Sequence, residues 1–407
     1  MTELAAEALL PDFSDLSCEK LSSVQPISFA ETQERAASAI LRLNTASQSC
    51  PALLLSGFPG VNYERVIIDL IDDCPKPFNR SFDLCYTENL KNPFRPIWLK
   101  LKAGTGPEFC DLLDDLFKLL RLKLDAEELV NKILRKQDND EKLAEYLTEL
   151  SAHVAQDGVF THPVLMNLMI HQLQPQPPVI YARDLTWRSL FGSINYVTEQ
   201  GSVYSNHHLL EAGLLREANG GYLIIPVDEL LMKPQLWFKL HNALATGYLD
   251  WSAPEDTPPQ TPFFQPEATP LDIKLILVGD RISIAEFNLL DNEFSEKIFL
   301  RTDLITEFPY DEDSVAQFTG LLCHIRHHWE LLDFDASAIK ELMRFSCRLC
   351  EHQRILSFAE TQLVALMQLA HSIASEQGAE LITSLHIKAA LSEQEYRLNY
   401  IVEQSDQ

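Results

Sequence analysis

The stretch LLLSGFPGVNYERVI, residues 53–67, decides how the rest of the chain is read. An apolar run enters two glycines three apart, Gly57 and Gly60, and leaves through a segment of helical spacing. That is the layout of a strand feeding a phosphate-binding turn. A loop of the form G-x-x-x-x-G-K-[ST] uses its glycines for close backbone approach, its Lys on the outer phosphates and its hydroxyl on magnesium. With Gly57 as the first glycine, the last three places hold Asn62, Tyr63 and Glu64. An Asn side chain crowds the approach, a phenol is uncharged at neutral pH and a carboxylate repels phosphate. The next cation, Arg65, falls two positions late, a turn of roughly 200° on a helix.

The chain has 407 residues, enough for two or three domains. Its 33 Lys and Arg against 59 Asp and Glu leave a formal charge of −26, which disfavours nucleic acid or an anionic membrane as partner. The opening MTELAAEALLPDFSDLSCEK carries acids where a signal peptide would carry Lys or Arg, and no later run is long and apolar enough to span a bilayer. The chain therefore reads as cytoplasmic, with its eight scattered cysteines reduced. Cys347 and Cys350 form C-x-x-C near several histidines, but no second ligand pair stands at zinc spacing. They read as packing residues on one helix face, and no metal site is assigned.

Along the chain, residues 1–25 read as an N-terminal arm and 26–107 as the first part of an α/β core. In that part ALLLSG is a buried strand, NYERVIIDLIDDC the helix behind it, and FDLCYTENL and RPIWLKLKAGTG two further strand-like runs. From Glu108 to Leu173 the spacing is helical almost throughout, so 108–178 reads as a helical insertion. Residues 179–310 hold the second part of the core, with the fully apolar strand DIKLILVGD of a parallel sheet, and 311–407 read as a helical lid. Asp335 precedes ASAIKELMRF, and Thr383 or Ser384 precedes LHIKAAL, as helix caps. Strands alternating with helices, then helices alone, predict an α/β nucleotide-type fold with a helical lid.

In order along the chain stand SGFPG, NLKNPFRPIWLKLKAGTG, SLFGSINYVTEQGSVYSNHHLLEAGLLREANGGYLII, KLILVGD and DFDASAIKELMRFSCRLCEHQRILS. This series resembles the AAA+ part of the Lon-related, LonB-type ATP-dependent proteases. REANGGYLII resembles their lead into the Walker B strand, and the NP..RP..L.L.AG.G spacing is more specific still. The resemblance implies a P-loop-type parallel sheet with a helical lid, assembled as a homo-oligomeric ring. Such a ring binds ATP and Mg²⁺ between subunits and pulls protein substrates through a pore into a Ser/Lys peptidase domain. That domain would follow the lid, and no Ser/Lys dyad is assignable here.

The departures from the family pattern bear on the same chemistry. Counting from Gly220 and Gly221, the two Walker B acids fall at Pro226 and Val227. Asp228 and Glu229 follow at once, as displaced catalytic acids or as favourable charges at a helix N-terminus. Asp280 stands at the sensor 1 position, Arg301 and Lys297 near that of the trans arginine, and Arg348 and Arg354 near sensor 2. Val203 and Tyr204, in VTEQGSVYSNHHL, occupy the place of a substrate-gripping pore loop or form a packed hairpin tip. These features leave three readings open. The chain is a Lon-type AAA+ portion with little or no ATP hydrolysis, an active unfoldase using displaced Arg65, Asp228 and Glu229, or a binding adaptor working through the helical insertion.

Overall fold

The computed structural model describes residues 13, 18–46, 51–58, 61–74, 81–160, 162, 164–173, 176–199, 202–252, 263–292, 294 and 300–398. Most of the N-terminal arm, together with Gly60 and Lys297, lies outside them. The chain divides into two compact units. One comprises Met1–Ile40, Leu55–Cys74 and Thr302–Gln407, the other Leu41–Leu54 and Pro75–Arg301.

A five-stranded sheet runs in the order Leu300–Asp303, Ala52–Gly57, Lys274–Asp280, Tyr222–Pro226 and Val179–Tyr181. Tyr222–Pro226 lies parallel to Lys274–Asp280, with Tyr222 opposite Lys274 and Pro226 opposite Val278. It also lies parallel to Val179–Tyr181. Unbroken apolar sequence is what a strand covered on both faces requires, and Leu275, Ile276, Leu277, Leu223, Ile224 and Ile225 are all fully buried. Helix Pro234–Thr246 covers this sheet through Trp237, whose ring meets Phe287 and Phe294 edge-on at 4.7 and 4.5 Å. The chain enters the Tyr222–Pro226 strand through the ANGG turn. Asn219 donates to Pro270 O at 2.7 Å and accepts from Asp272 N at 2.8 Å. Gly220 has a φ of +86°, and a Cβ on Gly221 would stand 2.1 Å from Pro178 O. Only glycine tolerates both conditions, so the motif's residues are those the strand entry demands.

The runs FDLCYTENL and RPIWLKLKAGTG are strands as expected, but they do not join the parallel sheet. Phe82–Thr87 is the centre of a separate antiparallel sheet, flanked by Ile97–Lys102 and Met166–Ile170. The last of these corrects the helical reading of 108–173, which holds only for Gly106–Arg121, Glu127–Lys136 and Glu141–Ala155. A short apolar run such as MNLMI carries no period that separates strand from buried helix. The three helices bury Phe109, Leu113, Ile133, Leu143, Leu147 and Leu150 in one cluster with residues of the sheet. The segment around LLMKPQLWFKLHNAL forms two helices, Val227–Met232 and Pro234–Thr246, because Pro234 cannot supply an interior N–H and instead starts the second.

In the other unit, helices Glu312–His328, Ala336–Leu349, Glu360–Glu376 and Ser384–Leu398 follow one another. Two start under aspartate caps, Asp311 accepting from Ser314 N and Asp335 from Ala338 N, each at 2.8 Å. Glu31 sits in the short 3₁₀ turn Ala30–Thr32 and accepts from Ser28 N at 2.7 Å.

Candidate functional site

The Ala52–Gly57 strand and the Tyr63–Asp73 helix stand as the opening motif demands. Asn62 caps the helix, its Oδ1 accepting from Arg65 N at 3.2 Å, so one of the N–H groups a helix start would offer an anion is engaged by the chain itself. The Tyr63 ring lies on Gly57, where a Cβ would stand 2.5 Å from Cε1, and its hydroxyl donates to Phe58 O at 3.3 Å. Alongside, the Ser56 hydroxyl donates to the Asp303 carboxylate.

Arg65 turns away from this strand end toward the helices after residue 311. Its Nη2 donates to His324 Nε2 at 2.9 Å, and its guanidinium pairs with Glu360 at 3.8 Å and with Asp69 at 3.9 Å. Burial, reinforced by Arg65 and His328 against Asp69 and Glu31, pushes the His324 imidazole down. At neutral pH its Nε2 is therefore the acceptor the arginine requires. His324 and Glu360 lie far from Arg65 in sequence, and no local pattern announces either as its partner.

The other unit holds the candidate acids. Pro226 ends its strand, Val227 is fully buried, and a Cβ on Gly279 of the neighbouring strand would touch Val227 Cβ at 3.4 Å. Asp228 and Glu229 lie in the first turn of Val227–Met232, Asp228 exposed and Glu229 paired with Lys233 at 3.6 Å. Asp280 ends the neighbouring strand and caps the helix Arg281–Leu290, accepting from Ser283 N at 2.7 Å. Those hydrogen bonds hold its carboxyl below the usual range. Pairing of the two strands thus brings Asp280 and the pair Asp228 and Glu229 to the same sheet end. Arg301 is exposed on the strand Leu300–Asp303, and Arg348 is exposed in the last turn of Ala336–Leu349. On that helix it is Arg344 that has an acidic partner, Glu341, at 2.6 Å.

Val203 and Tyr204 belong to an antiparallel hairpin, Val197–Glu199 with Ser202–Tyr204, and each is 40% exposed. Just beyond it, His207 is buried, with its ring 4.3 Å from that of His208, which in turn lies 4.1 Å from His162. Burial and the two neighbouring imidazoles push His207 down to about 3. In the unfolded chain a histidine titrates near 6.5. Between these values the unfolded state binds the extra proton, so stability is intact above about pH 6.5 and declines as pH falls toward 3. The expected loss from this residue at pH 5 is about 2 kcal/mol. Urea titrations of wild type and His207→Gln should show it as a steeper fall in the wild type between pH 7 and 5. Parallel slopes for the two proteins refute the assignment.

Comparison with known families agrees with this architecture. Residues 175–304 match the LonB-like AAA domain, 333–397 the archaeal LonB AAA+ ATPase LID domain, and 83–116 the Lon-like LonC helical domain. The chain carries a Lon-related AAA+ module. The “Putative Lon protease homolog” of Escherichia coli (strain K12) is 36% identical over 135 residues, 33% of this chain and 23% of that protein. The “Putative Lon protease homolog” of Haemophilus influenzae (strain ATCC 51907 / DSM 11121 / KW20 / Rd) is 25% identical over 199 residues, 48% of this chain and 29% of that protein. The matched stretches of this chain thus span about a quarter of the length of these relatives. Its AAA domain match covers the ANGG turn, the acids Asp228, Glu229 and Asp280 and the hairpin, and AAA+ domains generally bind nucleotide. The LonC helical match covers two strands and a helix in this module. No helix among the described residues is long and apolar enough to cross a membrane.

Proposed function

We propose that this chain is a protein-handling AAA+ portion of a Lon-family protease whose own nucleotide site turns ATP over weakly or not at all. One observation carries the reading: the Tyr63 ring lies on Gly57, where a phosphate loop needs open backbone. Asn62 satisfying the helix start, Arg65 committed to Glu360 and His324, and the apolar pair Pro226 and Val227 at the Walker B places support it. Magnesium requires oxygen ligands of fixed geometry, and the side chains of a proline and a buried valine offer none. The residues present do not fit Mg²⁺-ATP, and no catalytic step is derived through it.

In this reading the stretches 26–107 and 179–310 contain the core strands, 108–178 lies between them as an insertion and 311–407 form the lid. A cytoplasmic ring of identical subunits presents Val203 and Tyr204, two exposed apolar side chains on a hairpin, to extended polypeptide substrates. Calorimetric titration of the purified chain with Mg²⁺-ATP should give no binding tighter than about 0.1 mM, a free energy weaker than about −5.5 kcal/mol, and no phosphate release. Micromolar affinity with turnover that falls in Asp228→Ala overturns the proposal in favour of an active unfoldase.

A further inference from the structure

The central strand of the antiparallel sheet and the first helix of the helical block place two cysteines together. Lys102 stands opposite Phe82 across the antiparallel pair, so the helix that follows starts beside the beginning of the Phe82–Thr87 strand. The Asp83 carboxylate fixes that start, its Oδ2 accepting from Gly106 N at 2.7 Å. From Asp83 to Cys85 the strand advances about 6.8 Å, and from Gly106 to Cys110 the helix advances about 6.0 Å. Two residues along a strand and four along a helix also return to the same face. Cys85 and Cys110 therefore face one another within one apolar cluster, and each shifts the acidity of the other. Cys85 is fully buried, whereas Cys110 is partly exposed at the edge of the same apolar cluster.

We propose that Cys85 and Cys110 are a peroxide-responsive dithiol that closes to an intrachain disulfide, joining the central strand to the first helix of the block. Interaction with Cys85 holds the Cys110 thiol below its ordinary range, while the same interaction and burial raise Cys85. Cys110, the more acidic and more accessible thiol, is thus the attacking group. Its thiolate attacks one oxygen of hydrogen peroxide; the O–O bond breaks and hydroxide leaves, taking up the Cys110 proton as water. The resulting sulfenic acid is attacked by the Cys85 sulfur; the S–S bond forms, the S–O bond breaks and a second water leaves with the Cys85 proton. Two thiols lose two electrons and two hydrogens, and one peroxide becomes two waters. This property is independent of the state of the nucleotide site.

The test treats the full chain with hydrogen peroxide, blocks remaining thiols with iodoacetamide and maps peptides without reduction. The expected product is lighter by two hydrogens, with the Cys85 and Cys110 peptides joined, and dithiothreitol separates them. Cys347→Ser should leave the link unchanged and Cys110→Ser should abolish it. In Cys85→Ala, dimedone should trap a sulfenic acid on Cys110 that wild type does not accumulate. Alkylation of both cysteines after peroxide, or a link that joins other cysteines while these two stay free, overturns the proposal.

Discussion

Arg216→Ala is expected to destabilise its unit by about 3–5 kcal/mol, the range for removing one member of a buried charged network. The Arg216 side chain is 2% exposed, in the REANGG segment that leads into a core strand. Its guanidinium donates to Phe191 O, to Leu249 O at 3.3 Å and to Asp250 O at 3.1 Å, and it lies 3.7 Å from the centre of the Trp251 ring. Trp251 in turn donates from Nε1 to the Tyr86 hydroxyl at 2.9 Å, and Tyr86 donates to Glu267 O. One cation therefore ties the end of the Trp187–Phe191 helix to the adjacent residues Leu249 and Asp250. Burial lowers it to about 10, far enough above neutrality that it stays charged. Alanine leaves those carbonyls unpaired around a cavity the size of the lost side chain. Arg216→Lys keeps the charge but loses the planar fork that reaches several carbonyls at once, so it should recover only part of the loss. The measurement is the urea midpoint at constant slope; equal midpoints for wild type and Arg216→Ala refute the role.

Asp83→Asn should cost about 3–4 kcal/mol although it changes almost no volume. The carboxylate is fully buried and serves four donors. Oδ1 accepts from Gly104 N at 3.1 Å and Gln172 N at 2.8 Å, Oδ2 from Gly106 N at 2.7 Å and His171 Nδ1 at 3.0 Å. An amide replaces one acceptor oxygen with an NH₂ group that faces two donors, and neither arrangement of the amide avoids this. The AGTG turn, the start of the Gly106–Arg121 helix and the end of the Met166–Ile170 strand all hang on this one side chain. Unfolding of Asp83→Asn by urea, followed by tryptophan fluorescence, gives the magnitude. A loss under about 1 kcal/mol would place the anchoring elsewhere, since an ordinary substitution does as much.

These two residues also mark how far the sequence could be read. LLLSG, KLILVGD and YLIIP declare buried parallel strands because a strand covered on both faces must be apolar throughout. Asp335 was legible as a cap because the backbone pattern of a helix start is local. The series of motifs around ANGG pointed to the AAA+ module that the family matches bear out. The membership of FDLCYT and RPIWLKLK in a second sheet was not legible, since period and composition report that a strand is buried and not which strand it joins. Met166–Ile170 was missed for the same reason.

For the candidate site, the odd residues Asn62, Tyr63 and Glu64 were visible in the chain, but what Tyr63 and Asn62 do there was not. Local sequence determined the strand-turn-helix frame, the caps and the glycines, because these depend on backbone conformation and on neighbours within a few positions. Tertiary structure alone decided that Arg65 pairs with Glu360 and His324, that Arg216 gathers three carbonyls, and that Asp83 fixes the start of the helix that carries Cys110. A buried polar group takes whichever partner the packed chain brings within hydrogen-bond reach, and that partner has no fixed distance along the sequence.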